Sequence, residues 1–349
     1  MNKKTIIHIL RIVMPTIALI CIITLPPWIL LRAWIAPLPT TVQEQLEDGI
    51  DYGLDGMIVY VDQAGKPPVH YASGWHNREH EIPANPQALF KIASISKLYV
   101  AAAVTKLVSE KRLALDETLA YHFPELTNRI ENANHITLRF MIQHRSGIPN
   151  LTDNPNYPWD KPPKSSREAL EYALDQPANF APNEDYAYSN TNYLLLTEIM
   201  DKVLGYSHQQ YIKEQILTPL HLTHTFGSLN DVDPNEVMSG YYVGWEPDIK
   251  MNNHGSMLAT AEDVGIFLRA LNDGSLFTNE EQAIYASVYF YEHTGLVPGY
   301  QSIAKYHKDI DTVVIQFVNT SGGDMWTLSE ILYDRIVNIL ETKKNNETK

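Results

Sequence analysis

The sequence predicts a mixed α/β fold of the α+β class. Helices flank one antiparallel sheet built from both ends of the chain, and a mostly helical lobe is inserted between the two halves. Two observations lead to this prediction: strand-like segments cluster near both ends of the folded body, and helix-like segments fill its middle. The 349 residues are 44% hydrophobic and 19% charged, which suits either one large unit with two lobes or two domains.

The first part of the sheet is predicted to be a hairpin. Residues 56–62 form an apolar run typical of a buried strand, a turn with glycine and proline follows, and residues 69–75 supply the second strand. A short helix over residues 42–50 precedes the hairpin. The folded domain is therefore expected to cover residues 42–342.

The middle of the chain shows repeated helical periodicity, with apolar residues three and four positions apart. This pattern predicts helices over residues 95–111, 167–174, 193–203, 209–216 and 261–271. Near the end, residues 300–306 and 312–319 alternate like strands and are joined by a polar turn. A closing helix over residues 326–340 and a polar tail over residues 343–349 complete the prediction.

The amino terminus has the pattern of a membrane anchor. Residues 12–31 contain no charged side chain and are long enough to span a bilayer, while three basic residues lie within residues 1–11. This charge bias predicts a single-pass membrane protein with residues 1–11 in the cytoplasm and the body outside, after a linker over residues 32–41. The alternative is a cleaved signal peptide and a secreted protein, since Pro26 and Pro27 would end its apolar region.

The charge of the chain excludes some partners. The formal net charge is −14, and the acidic residues all lie in the body, so nucleic acid is not an expected partner. A single cysteine excludes an internal disulfide and a site built from several cysteines. The sequence leaves the oligomeric state open.

A candidate nucleophile lies where the first long helix begins. Ser94 and Lys97 are three residues apart and therefore share a helix face, so the lysine can reach the serine hydroxyl. A serine becomes a strong nucleophile only when a neighbouring base takes its proton, and burial can make lysine such a base. The same spacing recurs at Ser302 and Lys305, but there the pattern is strand-like, so the two side chains point to opposite faces.

Two further segments accompany this pair. Tyr188 and Asn190 stand directly before a predicted helix, and His293-Thr294-Gly295 stands before the strand predicted at residue 300. Taken alone, the first is typical of a helix cap beside a packed tyrosine, and the second of a turn that leads into a strand.

In this order, the three segments resemble those of the serine β-lactamase and penicillin-binding-protein superfamily, in its class C β-lactamase and DD-peptidase branch. That branch carries Ser-x-x-Lys, then Tyr-x-Asn, then Lys/His-Thr/Ser-Gly. Further stretches fit as well, at residues 90–97, 113–116, 136–139, 144–149 and 259–263. The resemblance runs from about residue 45 to about residue 340 and implies a β-lactamase/transpeptidase-like fold.

The resemblance also implies catalytic roles. Ser94 would be the acylated nucleophile, and Lys97 would accept its proton or keep Tyr188 poised to do so. Tyr188 would pass a proton to the leaving group, and Asn190 would hold the amide of the substrate. The backbone N–H groups of Ser94 and Leu296 would form the oxyanion hole. This chemistry requires no metal and no organic cofactor.

Through His293, Thr294 and Gly295, the third segment would contact the end of the substrate opposite the scissile bond. Many β-lactamases of the family have lysine where this chain has His293. Only a charged imidazole would attract a carboxylate there, and an unperturbed histidine titrates near pH ~6.5. Affinity for carboxylate substrates is therefore expected to weaken from about pH 6 to about pH 8.

The function expected from this resemblance is an extracytoplasmic serine hydrolase working through an acyl-enzyme, with D-Ala-D-Ala carboxypeptidase or a related D-amino-acid peptidase as the leading interpretation. A β-lactamase or a small-ester esterase with the same site is the first alternative. The second alternative is of another class: a penicillin-recognising sensor or scaffold that is acylated but does not turn over. The expected partners are accordingly a small peptide, ester or β-lactam substrate.

Overall fold

A six-stranded antiparallel sheet organises the protein, as seen in a computed structural model that describes residue 11, residues 13–15 and residues 27–347. The strands of the protein are β1 (Gly56–Gln63), β2 (Val69–Asn77), β3 (Ile82–Pro83), β4 (Phe90–Lys91), β5 (Thr225–Phe226), β6 (Tyr241–Tyr242), β7 (Leu258–Ala259), β8 (His293–Val297), β9 (Tyr300–His307), β10 (Thr312–Val318) and β11 (Thr320–Ser321). The large sheet has the order β3-β2-β1-β10-β9-β8, so strands from both ends of the chain meet where β1 pairs with β10. This confirms the predicted fold class.

The helices surround this sheet and fill the middle of the chain. They are α1 (Trp28–Ile35), α2 (Val42–Asp51), α3 (Ser96–Ser109), α4 (Leu119–His122), α5 (Leu138–Ile142), α6 (Ser166–Leu170), α7 (Asn190–Leu204), α8 (His208–Ile212), α9 (Ala261–Asp273), α10 (Asn279–Ala286) and α11 (Met325–Glu347). The described residues also form two small sheets, β4-β7-β5 and β6-β11. The inserted lobe thus lies between β3 and β8 in the sequence.

Both faces of the large sheet are buried because its side chains alternate between two hydrophobic cores. On β1, Met57, Val59 and Val61 pack against the terminal helices α2 and α11, whereas Ile58 and Tyr60 pack against the helical lobe. A strand buried on both sides is apolar throughout rather than alternating, which explains the continuous apolar run in the sequence. The sheet therefore provides a rigid support for both lobes.

Helix α3 connects the sheet to the lobe and is apolar nearly all round. Its side chains from Lys97 to Leu107 are buried with the single exception of Lys106. The ring of Tyr99 stacks on Phe267 of α9 at 3.8 Å between centroids, and α9 itself packs on the sheet. This packing fixes the amino-terminal end of α3 beside the strand β8 at the edge of the sheet.

The predicted membrane anchor requires correction. In the part of the chain that the structure describes, no helix is both long enough and apolar enough to cross a bilayer. Residues 12 and 16–26 of the predicted span lie outside the described residues. Residues 28–31 belong to α1, an eight-residue helix whose apolar side packs with α11, where Ala33 is fully buried. This finding contradicts the predicted single-pass location with the body outside the membrane.

Several other segments differ from the sequence-based expectation, and three of them bear on the site or on the end of the chain. His293-Thr294-Gly295, expected as a turn, forms the edge strand β8 instead. Helix α10 occupies the interval between α9 and β8, where no element was predicted, and it packs against α3. Helix α11 continues to residue 347, so the predicted polar tail is helical wherever it is described.

Candidate active site

The candidate nucleophile lies in a single helical turn that is held on several sides. Ser94 belongs to the 3₁₀ turn Ala93–Ile95, immediately before α3. Ala93 has a φ of 50°, a left-handed conformation that is unfavourable for alanine, and its N–H donates to the Ser256 hydroxyl at 2.8 Å. Such a backbone conformation persists only where the surroundings impose it, so the position of Ser94 is fixed by its neighbours.

Strand β8 approaches this turn so closely that only glycine fits at one position. A Cβ atom on Gly295 would lie 2.4 Å from the Ile92 carbonyl and 2.3 Å from the Ser302 hydroxyl. Ser302 itself donates to the Ile92 carbonyl at 2.9 Å and is buried in β9. The second Ser-x-x-Lys pattern therefore supports the turn that carries Ser94, and its serine does not face the cleft.

Two polar side chains meet the hydroxyl of Ser94. Lys97 Nζ lies 3.2 Å from Ser94 Oγ, and the hydroxyl of Tyr188 donates to the same oxygen at 2.7 Å. Lys97 also donates to Asn190 Oδ1 at 2.8 Å. The structure thus brings together the four residues that the sequence placed in two separate segments.

Lys97 is buried, which changes its acid–base chemistry. Its side chain is 8% exposed, and burial lowers the pKa of its ammonium group to about 7. At neutral pH, a large fraction of the molecules therefore carries a neutral Lys97 amine that can accept a proton.

Asn190, which accepts from Lys97, is itself held by Thr152, whose hydroxyl accepts from Asn190 Nδ2 at 3.0 Å.

Tyr188 is held as a neutral proton donor. Burial raises the pKa of Tyr188 to about 12, although the hydrogen bond to Ser94 acts in the opposite direction. Its ring stacks on His144, with 4.4 Å between centroids. His144 is buried, has a φ of 57°, and accepts a hydrogen bond from the Ser189 N–H through Nδ1 at 3.1 Å. His144 thus positions both the ring of Tyr188 and the backbone next to it.

Sequence reasoning did not assign a role to His144, although residues 144–149 resemble a stretch of the family. Burial, followed by the charges of Lys97 and His293, lowers the pKa of His144 to about 3. The imidazole is therefore neutral at physiological pH. The available signal was a histidine three residues before a glycine in that stretch, but this pattern does not specify a partner.

His293 does not carry the charge that the sequence suggested. Its Nδ1 lies against the Thr294 carbonyl, and its Nε2 lies 3.0 Å from the Tyr289 hydroxyl. Burial and then Lys97 lower the pKa of His293 to about 4. The ring is consequently neutral above about pH 5, and the expected titration between pH 6 and pH 8 is wrong for this site. The cause is the closed environment at the strand edge, which the motif alone does not reveal.

The other β8 residues differ in how close they lie to the nucleophile turn and to the cleft. Gly295 is buried against the nucleophile turn, and Leu296 is 51% exposed and lines the cleft. Thr294 is partly buried on the strand face opposite to Gly295. The backbone of β8 therefore passes directly beside Ser94, as an oxyanion site would require.

A cavity of about 440 Å³ opens from Ser94 toward the helical lobe. Ser94, Lys97 and Asn190 line it, together with residues of the helical lobe and of two loops. One loop contributes Tyr157 and Trp159, and the other contributes residues 253–257. The size suits a small organic substrate.

The antiparallel sheet with its inserted helical lobe, and the serine, lysine and tyrosine where they meet, define the serine β-lactamase and penicillin-binding-protein superfamily. The family model described as Beta-lactamase matches residues 31–289, well over half of the chain, and the protein belongs to this family. Strand β8 begins four residues after the last matched residue. The superfamily consists of serine hydrolases.

Curated relatives are distant. The chain is 25% identical over 296 residues to the putative penicillin-binding protein PbpX of Bacillus subtilis strain 168, covering 78% of this chain and 72% of that protein. It is 27% identical over 205 residues to Protein flp of Staphylococcus aureus strain MRSA252, covering 57% of this chain. The matched part spans 41% of the length of Protein flp.

Solved structures share the fold. The D-amino acid amidase from Ochrobactrum anthropi SV3 superposes with a TM-score of 0.75 at 21% identity, covering 87% of this chain and 98% of that chain. A penicillin-binding protein from Bacillus halodurans superposes with a TM-score of 0.72 at 19% identity, covering 85% and 98%. These similarities confirm the predicted β-lactamase/transpeptidase-like fold.

Proposed function

We propose that the protein is a serine hydrolase that forms an acyl-enzyme on Ser94. The observation that carries this proposal is the convergence of the Lys97 amine and the Tyr188 hydroxyl on Ser94 Oγ, where Ser94 and Lys97 line a cavity. A nucleophile in contact with both a proton acceptor and a proton donor is the arrangement that acyl transfer requires.

The proposed reaction uses each of these groups in turn. Ser94 Oγ attacks the substrate carbonyl carbon, and its proton passes to the neutral amine of Lys97. The backbone N–H groups of Ser94 and Leu296 stabilise the oxyanion. When the bond to the leaving group breaks, Tyr188 donates a proton to the departing nitrogen or oxygen and is reprotonated from Lys97. Water then attacks the ester, releases the acid and restores Ser94.

The proposed substrates are amides, peptides or esters in which a D-amino acid residue supplies the acyl group, and a D-Ala-D-Ala peptide is one of them. The names of the similar proteins support this class, since they include a D-amino acid amidase, a D-stereospecific amidohydrolase and penicillin-binding proteins. Asn190, with its amide fixed between Lys97 and Thr152, is suited to hold the backbone amide of the acyl group. A β-lactam would enter the same site, since it offers a carbonyl to the same nucleophile.

Turnover distinguishes a hydrolase from an acylated sensor. The purified protein is incubated with D-phenylalanine amide, an N-acylated D-Ala-D-Ala peptide and a fluorescent penicillin, and products are quantified by mass spectrometry. The proposal predicts many turnovers on at least one of the first two substrates and none with Ser94→Ala. A single equivalent of stable adduct with no released product would instead favour the sensor.

A further inference from the structure

The cavity that Ser94 lines also extends along one face of helix α7 into the helical lobe. Asn190, Leu194 and Thr197 all line it, and residues at spacings of three and four share a helix face. Asn190 marks the end beside the nucleophile, because it accepts a hydrogen bond from Lys97, which contacts Ser94. Thr197 lies seven residues further along the chain, which is about 10 Å along the helix axis. The cavity therefore continues well past the groups that take part in the reaction.

The lining becomes apolar along this length. Helices α3 and α8 contribute Val100 and Ile212, and Leu217 follows in the turn after α8. On α7, the hydroxyl of Thr197 donates to the Leu194 carbonyl at 2.8 Å, so this polar group is already bonded within its own helix. Such a surface favours a hydrocarbon chain and offers no partner to a charged group.

Polar side chains that are bonded to other groups of the protein border the far end. Asp201 lies one turn beyond Thr197 on α7, and its Oδ1 is 2.8 Å from Nδ1 of His208, which lines the cavity. Gln209 also lines the cavity, and its Nε2 donates to the Gly227 carbonyl at 3.0 Å. A longer apolar chain would have to displace these bonded groups or enter solvent. The apolar section therefore has a limited length.

The position of Asn190 decides which part of a substrate enters this section. In the proposed function, Asn190 holds the backbone amide of the acyl group, so the N-acyl chain attached to that amide begins beside Asn190 and continues along α7. Three backbone bonds of an extended chain span about 3.5 Å, or about 1.2 Å per bond. A length of about 10 Å therefore accommodates about eight bonds.

From this arrangement we propose that the cavity binds an unbranched apolar N-acyl chain of about eight carbons, and that the preferred substrates are D-amino acid derivatives carrying such a chain. This inference rests on the proposed function, since it specifies the acyl group that Ser94 receives. It goes beyond a free D-amino acid amide or a D-Ala-D-Ala peptide, because neither has a group that would occupy the apolar section beside Leu194 and Val100.

The first test varies only the length of the chain. N-acyl-D-alanine methyl esters from acetyl to dodecanoyl share the D residue and the scissile ester, and their hydrolysis is followed by mass spectrometry below their critical micelle concentrations. Because burial of each methylene favours binding, kcat/KM should rise at least about two-fold per methylene, or about fifty-fold from acetyl to octanoyl. It should not rise further from octanoyl to dodecanoyl. A flat profile, or a rise that continues through dodecanoyl, would overturn the inference.

A matched pair of variants tests where the chain binds. Thr197→Phe fills the far part of the apolar section and should lower the ratio of kcat/KM for octanoyl over acetyl at least about ten-fold. Gln210→Phe introduces the same side chain at an exposed position of α8 outside the lining residues, and it should keep the wild-type ratio. An unchanged ratio in a folded Thr197→Phe, or the same fall in both variants, would contradict the assignment. The wild-type profile decides the question if Thr197→Phe does not fold.

The series also separates the two proposals. If no member is hydrolysed and intact-protein mass spectrometry finds no adduct on Ser94, the proposed function fails and the inference fails with it. Hydrolysis at a rate that does not depend on chain length counts against the inference alone.

Discussion

Acylation of Ser94 should accelerate as the pH rises through about 7 and then become independent of pH. Lys97 can take the serine proton only as a neutral amine, and burial lowers its pKa from 10.5 to about 7. The group loses its proton as the pH rises, so the active fraction increases with pH. His144 and His293 have pKa values of about 3 and about 4 and do not titrate in this window.

The size of the effect follows from the shift in pKa. At pH 7, an ordinary lysine is neutral in only about one molecule in three thousand, whereas Lys97 is neutral in about half. Burial therefore increases the population of the base roughly a thousand-fold at neutral pH. Between pH 5 and pH 7, the neutral fraction rises about fifty-fold, and above pH 8 it is nearly constant.

The assay is stopped-flow acylation by an uncharged activated ester from pH 5 to pH 9, with an ester chosen so that the substrate does not titrate. Lys91 needs a control, since it is also buried and its pKa is also lowered to about 7, while its ammonium donates to the Asn252 carbonyl at 2.7 Å. Lys91→Met should keep the inflection. A wild-type profile that is flat across this range, or an inflection that disappears in Lys91→Met, would refute the assignment of Lys97 as the base.

The remaining predictions concern the groups around the nucleophile. Lys97→Ala and Tyr188→Phe should each slow acylation at least about a hundred-fold, and the double variant should be little slower than either, because the two groups move the same proton. If the losses of activation free energy from the two single variants simply add in the double variant, the two residues are not coupled. His144→Ala should lower kcat about ten-fold with KM little changed, since it removes the support of Tyr188; a change confined to KM would argue against a positioning role. Gly295→Ala should abolish labelling by a fluorophosphonate, because the new Cβ collides with the Ile92 carbonyl, and unchanged labelling would show that β8 can move away.

The sequence predicted the elements whose pattern is strong. The apolar run of β1 and the alternation of β9 and β10 are continuous over seven or eight residues, so the central strands from both ends of the chain were predicted correctly. Strand β8 was missed because His-Thr-Gly has neither alternation nor β-branched content beyond Thr294, and it is a strand only through its pairing with β9. The membrane prediction rested on an uncharged run over residues 12–31, whereas in the part of the chain that the structure describes the end of this run belongs to the eight-residue helix α1, in which Ile29, Leu30 and Ala33 pack with the core beneath α11.

The sequence predicted which residues form the candidate site, but not the tertiary contacts that surround each side chain. The spacing of Ser94 and Lys97 on one helix face is a local property, which the sequence contains. The neutrality of His293 depends on Tyr289 and on burial against Lys97, and these are tertiary contacts. The stacking of His144 on Tyr188 joins residues 44 positions apart, so periodicity cannot reveal it.

The most direct test of the central claim is to identify the acylated residue. Wild-type protein and Ser94→Ala are labelled with a fluorescent penicillin and a fluorophosphonate, digested and mapped by tandem mass spectrometry. The account predicts a single adduct on the wild-type peptide that contains Ser94 and no adduct on the variant, whose fold is checked by circular dichroism. An adduct on Ser302, or label retained in a folded Ser94→Ala, would contradict it.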